Sequence, residues 1–377
     1  MIYLDNGATT LHKPQAVRAA VNRALLSCAN PGRGGYPAAM EAAEAVFRCR
    51  SLAGTLFDCP PERVVFTMNC THGLNMAIRT LVQPGDRVVI SGFEHNAVTR
   101  PLHTLGARVT VAGRKLFDWE DTLAAFDQAL SEKPVAAIFT HVSNVFGYVL
   151  PVEQLAELCR LHGVPFLVDA AQSAGSRPVS LKKLGAEFIA MPGHKGLLGP
   201  QGTGMLLCAR DPEPLMQGGT GSLSIQQDMP DFLPDRGEAG TVNVPGICGL
   251  AAGMAHVHRM GLKAIADREE RETERAVRGL SSLGLRVFAG PHQGGVLSFL
   301  PPDGDCEKAA GSFAARGIAL RAGLHCAPTA HESAGTLETG TVRASFGPDA
   351  SPEQTRGFLQ AAAAIWGPKK GKKAARK

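Results

Sequence analysis

The sequence predicts an α/β fold with a mostly parallel central sheet flanked by helices, followed by a smaller α+β C-terminal domain. Three observations support this prediction. Short apolar segments alternate with amphipathic ones from about residue 37 to residue 208, a pattern typical of parallel strands joined by helices. The 377 residues are too many for one small domain. The 43 glycines and 25 prolines suit numerous strand-to-helix loops.

Strand and helix signals follow one another in order through the first region. Apolar residues at positions 152, 155, 158 and 161, for example, recur at helical spacing. The predicted strands span 63–67, 87–90, 108–111, 135–141, 164–168, 188–191 and 204–208. The predicted helices span 71–81, with Thr71 as N-cap, 96–105 and 152–161.

A glycine-rich segment over 217–245 separates this region from the second one. A loop of this length is usually functional. Beyond it, a helix dense in Glu and Arg over 264–280, strands at 295–299 and 341–345 and a last helix over 352–366 predict the α+β unit. We therefore expect a large cofactor-binding domain, 15–255, and a small domain built from 1–14 and 256–367.

Residues 368–377 are predicted to be a disordered basic tail. Six positive charges lie after Pro368, so the rest of the chain carries a charge near −1 although the total is +5. A terminal run of this kind is usually solvated, so nucleic acid is not an expected partner.

Cysteine usage and hydropathy restrict the compartment. The nine cysteines show no paired spacing, which indicates reduced thiols and no zinc or other metal site. No secretory signal precedes the first strand, and no apolar run approaches the ~20 residues that span a bilayer. We expect a cytoplasmic protein without a membrane segment.

An acid and a lysine end two successive apolar segments, at Asp169 and Lys195. A carboxylate can hold a pyridine nitrogen protonated, and an amine can form a Schiff base with an aldehyde; together they describe a pyridoxal phosphate (PLP) site. Either residue alone is equally consistent with a turn cap or a solvated lysine. The pair, with Gln172 and His194 between two buried strands, favours the cofactor site.

Other polar residues follow strands that end at the same predicted edge. Thr71 and His72 begin a helix after a strand, where backbone N–H groups can bind phosphate. His95 lies just past another strand end, and Asn144 closes a third. Ligands bind at the carboxyl edge of such sheets, so these residues are candidate cofactor contacts.

Taken in order, these motifs resemble the class V aminotransferase family of PLP enzymes. Within that family the chain is similar to the second group of cysteine desulfurases, which is related to the selenocysteine lyases. The resemblance covers nearly the whole chain. Its motifs are Tyr3-Leu-Asp-Asn-Gly-Ala-Thr-Thr10, Glu94-His95, His141-Val-Ser-Asn144, Val168-Asp-Ala-Ala-Gln172, Gly193-His-Lys195, Glu238-Ala-Gly-Thr241, Arg321-Ala-Gly-Leu-His-Cys326 and Val342-Arg-Ala-Ser345.

The resemblance implies the PLP-dependent transferase fold of type I. Lys195 would carry PLP as a Schiff base, and Asp169 would pair with its pyridine nitrogen. Gln172 would bond the ring hydroxyl, and His95 would stack on the ring.

The resemblance also implies a homodimer with shared phosphate contacts. Thr71, His72 and His194 would lie at the phosphate of their own subunit, and Thr241 would reach the phosphate of the neighbouring one. Pro192 stands where many relatives have Ser or Thr, and it has neither a hydroxyl nor an N–H to offer.

On the substrate side, the resemblance implies that Arg343 clamps the carboxylate of L-cysteine, for which a bidentate guanidinium is suited. Asn144 would lie near both the substrate and the ring hydroxyl. Arg321 and Asn6 complete the predicted substrate contacts.

Cys326 decides the reaction expected within the family. It aligns with the nucleophile of the desulfurases and lies beside His325, with Arg321 and Arg343 near in sequence. Cationic neighbours lower the pKa of a thiol and favour the thiolate. We therefore expect L-cysteine to give L-alanine and a persulfide on Cys326, which then passes to an acceptor protein.

Five alternatives remain open at this point. Selenocysteine lyase, a cysteine C–S lyase, a class V aminotransferase and an epimerase would use the same scaffold. A scaffold protein whose basic tail is the working part would retain the fold, although it would have no need for Lys195, Asp169 and Cys326 together.

Overall fold

Two groups of strands organise the molecule, in a computed structural model that describes residues 1–32 and 34–367. The predicted tail at 368–377 lies outside the described residues. The strands are β1 Ile2–Tyr3, β2 Val64–Thr67, β3 Arg87–Ser91, β4 Arg108–Ala112, β5 Ala136–Thr140, β6 Phe166–Asp169, β7 Phe188–Pro192, β8 Gly204–Cys208, β9 Arg286–Phe288, β10 Val296–Leu300, β11 Ile318–Ala319, β12 Arg321–Gly323 and β13 Thr341–Ser345.

Helices connect and cover these strands. They are α1 Gln15–Ser27, α2 Pro37–Phe57, α3 Cys70–Leu81, α4 Asn96–Thr104, α5 Trp119–Ser131, α6 Val152–His162, α7 Leu181–Leu184, α8 Val244–Met260, α9 Leu262–Ser282, α10 Cys306–Ala314, α11 Pro328–Ala334 and α12 Pro352–Trp366.

The larger sheet has seven strands in the order β2-β8-β7-β6-β5-β3-β4. All its neighbours pair in parallel except β8, which is antiparallel to both β2 and β7. Every residue of β5, β6, β7 and β8 is buried, because helices cover both faces. The prediction of a mostly parallel sheet flanked by helices is therefore confirmed.

A second sheet lies in the C-terminal part and is antiparallel, in the order β12-β13-β10-β9. Its core joins Phe299, Phe313 and Phe358 from β10, α10 and α12 with Leu4 from the N-terminal segment. β1 pairs in parallel with β11, so the chain begins in this part of the molecule.

The predicted domain boundary at 255/256 falls inside α8, which ends only at Met260. Gly261, with φ of +80°, then separates α8 from α9. Glycine tolerates this backbone conformation without a Cβ clash, and it ends α8 here. The division at 15–255 stays a prediction.

Thr71 is not the N-cap of α3, and this prediction is wrong. The cap is Asn69, whose side chain accepts the N–H of His72 at 2.9 Å, and the helix begins at Cys70. Both residue types cap well, so the sequence offered two candidates that lie two positions apart. The strand predicted from residue 164 begins at Phe166, just after Pro165.

Five helices of nine residues or more were not predicted: α1, α2, α5, α8 and α10. Glycine content hid α8 in particular. Gly249 and Gly253 are buried in α8, and a Cβ at Gly249 would lie 2.7 Å from the side chain of Val21 in α1. These glycines allow close packing of two helices, although glycine lowers helix propensity in isolation.

A buried ion pair fixes the glycine-rich segment to the large sheet. Arg50 of α2 donates to both carboxylate oxygens of Glu238, at 2.8 and 2.9 Å, and its guanidinium lies 4.5 Å from the ring centroid of Phe66. Glu238 also accepts the N–H of Phe66 at 2.6 Å. Both charged side chains are about 8% exposed.

A second buried acid, Glu94, joins β3 to β5. Its Oε1 accepts the N–H of Thr140 at 2.8 Å and the hydroxyl of Ser91. Oε2 is buried with no partner among the described residues. Burial raises the pKa of Glu94 to about 8, so its carboxyl is protonated at neutral pH.

Replacing Glu238 by Ala should destabilise the large domain by about 3–5 kcal/mol, because it leaves the Arg50 guanidinium buried and unpaired. The urea-induced unfolding transition, followed by circular dichroism, measures the effect. The control is Glu213→Ala, which breaks the exposed pair with Arg236 and should cost less than about 1 kcal/mol. Equal effects of the two substitutions would contradict this account of the glycine-rich segment.

Glu94→Gln should flatten the pH dependence of stability between pH 4.5 and about 8. The folded protein holds a proton on Glu94 in this range and the unfolded chain does not, so wild-type stability falls as pH rises, by up to about 1.4 kcal/mol per pH unit. Denaturation midpoints across this range measure the slope. Glu132→Gln, at an exposed site, should leave it unchanged; a mutant at position 94 with the wild-type slope would refute the assignment.

Candidate active site

The carboxyl ends of four strands bring the predicted site residues together. Asp169 ends β6 and lies in register with Thr140 of β5 and Ala190 of β7. Asn144 and Lys195 follow β5 and β7 within four residues, and His95 follows β3 at the same distance. Parallel strands end at one edge of a sheet, so these side chains share a site.

Asp169 is a buried carboxylate, 3% exposed. One of its oxygens accepts the N–H of Ala171 at 2.8 Å and the thiol of Cys70 at 3.5 Å. Burial and the Asp169 charge raise the pKa of the Cys70 thiol well above its ordinary value, so Cys70 is a donor to the carboxylate. This contact was not predicted, because no local pattern distinguishes Cys70 from the other eight cysteines.

The amine of Lys195 loses its proton more readily than that of an ordinary lysine. Burial lowers its pKa, and the nearby Asp169 opposes that shift. Its backbone carbonyl accepts the N–H of Leu198 at 2.9 Å, which closes a turn just after β7. A lysine amine that can lose its proton, beside a buried carboxylate, is the pair that an aldehyde and a pyridinium nitrogen require.

His95 is the N-cap of α4, and its Nδ1 accepts the N–H of Ala97 at 3.0 Å. Burial lowers its pKa, so the ring is neutral and carries its proton on Nε2. The next residue, Asn96, donates its N–H to the carbonyl of Cys326 at 2.7 Å. The loop of Cys326, the predicted nucleophile, is thus hydrogen-bonded to the residue that follows His95, the predicted ring-stacking residue.

The start of α3 holds two predicted phosphate contacts. Thr71 is exposed in the first turn of the helix. The N–H of His72 is bound by Asn69, and its Nδ1 accepts the N–H of Met68 at 3.3 Å. Thr71 therefore offers a hydroxyl to an anion at this helix start, whereas the backbone N–H of His72 is already used.

His194 lies on the turn before Lys195. Its Nδ1 is 3.0 Å from the hydroxyl of Thr9, and its carbonyl accepts from the amine of Lys13 at 2.9 Å. Burial, with Lys195 nearby, lowers the pKa of His194 to about 4, so the ring is neutral. Pro192 is the last residue of β7 and pairs with Gly204 of β8.

The side-chain amides of three predicted site residues donate to backbone carbonyls of the chain. Gln172 donates to the carbonyl of Gly7 at 2.9 Å, and Asn6 donates to the carbonyl of Ser345 at 3.0 Å. Asn144 donates to the carbonyl of His325 at 2.7 Å. Each amide retains its side-chain oxygen as an acceptor.

Arg343 and Arg321 meet at a carboxylate that sequence reasoning did not assign. Arg343 donates to Asp5 at 2.8 Å and to the carbonyl of Asn144 at 3.0 Å. Arg321 donates to the same Asp5 at 2.9 Å. Asp5 belongs to the motif that opens the chain. The feature of the sequence that could have marked it is its position next to Asn6, a predicted substrate contact.

Cys326 is exposed on a loop of unusual backbone geometry. Both His325 and Cys326 have positive φ, +50° and +56°, which is uncommon for residues other than glycine. Arg321 lies five residues before Cys326, on β12, and Arg343 is its cross-strand partner on β13.

His325 does not supply a positive charge to Cys326, and that expectation is wrong. Its side chain is buried, and its Nε2 lies 3.1 Å from the carbonyl of Thr341. Burial, with Arg343 nearby, lowers the pKa of His325 to about 2, so the ring is neutral. The sequence places the two residues side by side, but the turn sends their side chains to different environments.

Thr241 is not gathered with the residues around Lys195. It is exposed and lines a separate cavity of about 150 Å³ together with Met68 and His72, near the start of α3. Its predicted role belongs to a neighbouring subunit and stays a prediction.

The donor set fits PLP. An amine of lowered pKa, a buried carboxylate with two donors of its own, and a helix start with an exposed hydroxyl match the aldehyde, the pyridine nitrogen and the phosphate. Within 1–32 and 34–367, no group of three or more His, Cys, Asp or Glu side chains is arranged to hold a metal ion. No helix in these ranges is both long and apolar enough to span a membrane.

Comparison with known proteins agrees with this geometry. A probable cysteine desulfurase of Methanothermobacter thermautotrophicus is 34% identical over 360 residues, which cover 92% of this chain and 90% of the relative. One from Pyrococcus abyssi is 32% identical, with 95% and 92% covered. The apo structure of a cysteine desulfurase from Thermococcus onnurineus superposes with a TM-score of 0.89 at 31% identity, covering 97% of this chain and 94% of that one.

The sequence profile of the aminotransferase class-V family matches residues 2–357. That range includes every predicted site residue, from Asn6 to Arg343. The chain therefore belongs to the class-V aminotransferases, a family of PLP-dependent enzymes with the type I fold.

Proposed function

We propose that the chain is a PLP-dependent cysteine desulfurase, which converts L-cysteine to L-alanine and retains the sulfur as a persulfide on Cys326. The observation that carries the proposal is the exposed thiol of Cys326. Its loop accepts hydrogen bonds from Asn96, which follows His95, and from Asn144. Relatives that bear the name cysteine desulfurase match over more than nine-tenths of this chain.

Residues of the strand edge would hold the cofactor. Lys195 and Asp169 are its main anchors in this proposal, for the aldehyde and the pyridine nitrogen. When bound, PLP supplies an electron sink for the negative charge that develops at the substrate α-carbon. The other proposed contacts are Thr71, His72, His95, Asn144, Gln172 and His194, with Thr241 contributed by a second subunit.

Arg343 and Arg321 would bind the substrate carboxylate, with Asn6 and Asn144 beside it. The Arg343 guanidinium is held at a fixed angle by Asp5 and by the Asn144 carbonyl. A positioned guanidinium orients a carboxylate through two hydrogen bonds at once. The substrate would thus be anchored at one end by its carboxylate.

Lys195 and Cys326 would perform the proton and sulfur steps. The Lys195 Nζ, when unprotonated, can remove the proton from the α-carbon, and burial eases its deprotonation by lowering the pKa of this amine. The thiolate Sγ of Cys326 attacks the substrate sulfur: an S–S bond forms, the substrate C–S bond breaks, and its electron pair stays on the substrate carbon. In sum, L-cysteine and an enzyme thiol give L-alanine and an enzyme hydropersulfide, without an external oxidant.

An acceptor protein would then take the sulfur. Cys326 is exposed, and Leu324 and Leu337 nearby in sequence are also exposed, at 37% and 40%. Exposure lets a second thiol approach the persulfide directly.

A homodimer in the cytoplasm completes the proposal. Large apolar side chains are exposed on α1, on α2 and in the glycine-rich segment, including Leu26, Phe47 and Ile225, at 89%, 60% and 96%. Such a surface suits a second copy of the chain. Thr241 belongs to the same glycine-rich segment, which supports its assignment to a shared site.

Cys326→Ser should reduce alanine formation from L-cysteine by at least about 100-fold, because a hydroxyl attacks the substrate sulfur much more weakly than a thiolate does. Alanine and sulfide release in the presence of a reductant, with the cofactor absorbance, measure the effect. Cys28→Ser, at a half-buried cysteine of α1's end, should retain full activity. Undiminished turnover of the Cys326 variant with pyruvate as product would establish a C–S lyase instead.

Asp169→Asn should lower kcat by about 100-fold or more while the cofactor remains bound, because a neutral amide cannot stabilise a protonated pyridine nitrogen. Cys70→Ala removes only the weaker contact to Asp169 and should lower kcat by less than about tenfold. Single-turnover absorbance and steady-state alanine release distinguish the two. Equal losses would show that Asp169 acts through packing.

A further inference from the structure

Asp5 lies between two guanidinium groups that are direct neighbours across a strand pair. Arg321 of β12 and Arg343 of β13 are paired residues in the antiparallel register. Like charges opposite one another in a sheet repel. The Asp5 carboxylate accepts from Arg343 at 2.8 Å through Oδ1 and from Arg321 at 2.9 Å through Oδ2, which holds both cations in place.

Asp5 itself is fixed by the backbone. It forms an isolated bridge with Ser345, the last residue of β13, and the N–H of Gly7 donates to the hydroxyl of Ser345 at 2.7 Å. The Asp5 side chain is 13% exposed, and that of Arg343 is 3% exposed. A carboxylate and a guanidinium so far from water interact strongly and have little freedom to rearrange.

The three side chains carry one net positive charge. Arg343 still has a buried Nε with no partner among the described residues. Arg321 is half exposed and faces solvent on its other side. One further carboxylate therefore balances the cluster, whereas a second anionic group nearby would remain uncompensated.

The cluster adjoins the reacting amine. The charges of Arg343 and Asp5 both act on the pKa of Lys195, the first lowering it and the second raising it. Asn6, the residue after Asp5, lines one cavity with Gln172 and Lys195, and Arg343 donates to the carbonyl of Asn144 at 3.0 Å.

We propose that Asp5 is a specificity-determining residue: it positions Arg343 and Arg321 as a receptor for one carboxylate and excludes amino acids with an anionic side chain. The inference rests on the proposed function insofar as this receptor takes the substrate carboxylate. Without Asp5, two adjacent guanidiniums would present a double positive charge that favours a dianion.

The test compares propionate and succinate, which differ by one carboxylate, as ligands of the PLP-loaded enzyme. Isothermal titration calorimetry gives both dissociation constants without any turnover. Asp5→Asn should raise the affinity for succinate relative to propionate by about tenfold over wild type. Asp5→Glu, which keeps the charge, should retain the wild-type ratio. An unchanged ratio in a folded Asp5→Asn variant would overturn the proposal.

Two further variants complete the design. Glu332→Gln makes the same charge change in the exposed pair with Arg114 and should leave the ratio as in wild type. Arg321→Gln removes the half-exposed cation of the cluster. It should lower the affinity for succinate relative to that for propionate by about tenfold. If Asp5→Asn does not fold, as judged by circular dichroism, an unchanged ratio in Arg321→Gln overturns the proposal in its place.

Turnover is measured separately, as the KM and kcat for alanine release from L-cysteine. Asp5→Asn should raise KM more than it lowers kcat, because the receptor loses its fixed orientation. A wild-type enzyme that forms no alanine would refute the proposed function and leave the calorimetric ratios to decide on Asp5. A normal wild-type enzyme with unchanged ratios in the variants would refute only the role of Asp5.

Discussion

The buried carboxylate of Asp169 is the constraint on which the site depends. A charge at 3% exposure is costly unless other groups replace its hydration. The protein supplies the N–H of Ala171, the thiol of Cys70 and the nearby amine of Lys195. These three come from the turn after β6, from the start of α3 and from the turn after β7. Satisfying one anion thus positions three elements, and the same elements hold the residues assigned to PLP.

Positive charge in the site is carried by arginine and not by histidine. Burial lowers the pKa of His72, His95, His194 and His325, which are therefore neutral. A neutral histidine can lie against an aromatic ring or accept from a backbone N–H, as His95 does, without repelling Lys195. The guanidiniums of Arg321 and Arg343 cannot lose their protons, so they keep a constant charge beside the substrate and Cys326.

Rigid and exposed parts of the site have different tasks. The cofactor residues lie on turns that directly follow buried strands, which fixes their positions. Cys326 lies on an exposed loop with two successive residues at positive φ. Two hydrogen bonds, from Asn96 and Asn144, hold this loop at the edge of the large sheet. Strain of this kind persists where the surroundings determine the backbone, and here the thiol of Cys326 is exposed to solvent.

The sequence alone determined the order of the strands along the chain and the mostly parallel class of the sheet. It also determined that Asp169 and Lys195 lie at or just after the ends of two buried strands. These follow from local patterns: apolar runs of strand length, and polar residues at their ends. Only the tertiary structure decided which partner each side chain meets. The contact of Cys70 with Asp169, the neutral state of His325 and the bridge of Asp5 between two arginines join residues up to 338 positions apart. Burial and charge at such sites depend on the packed neighbours, and no local pattern of residues encodes them.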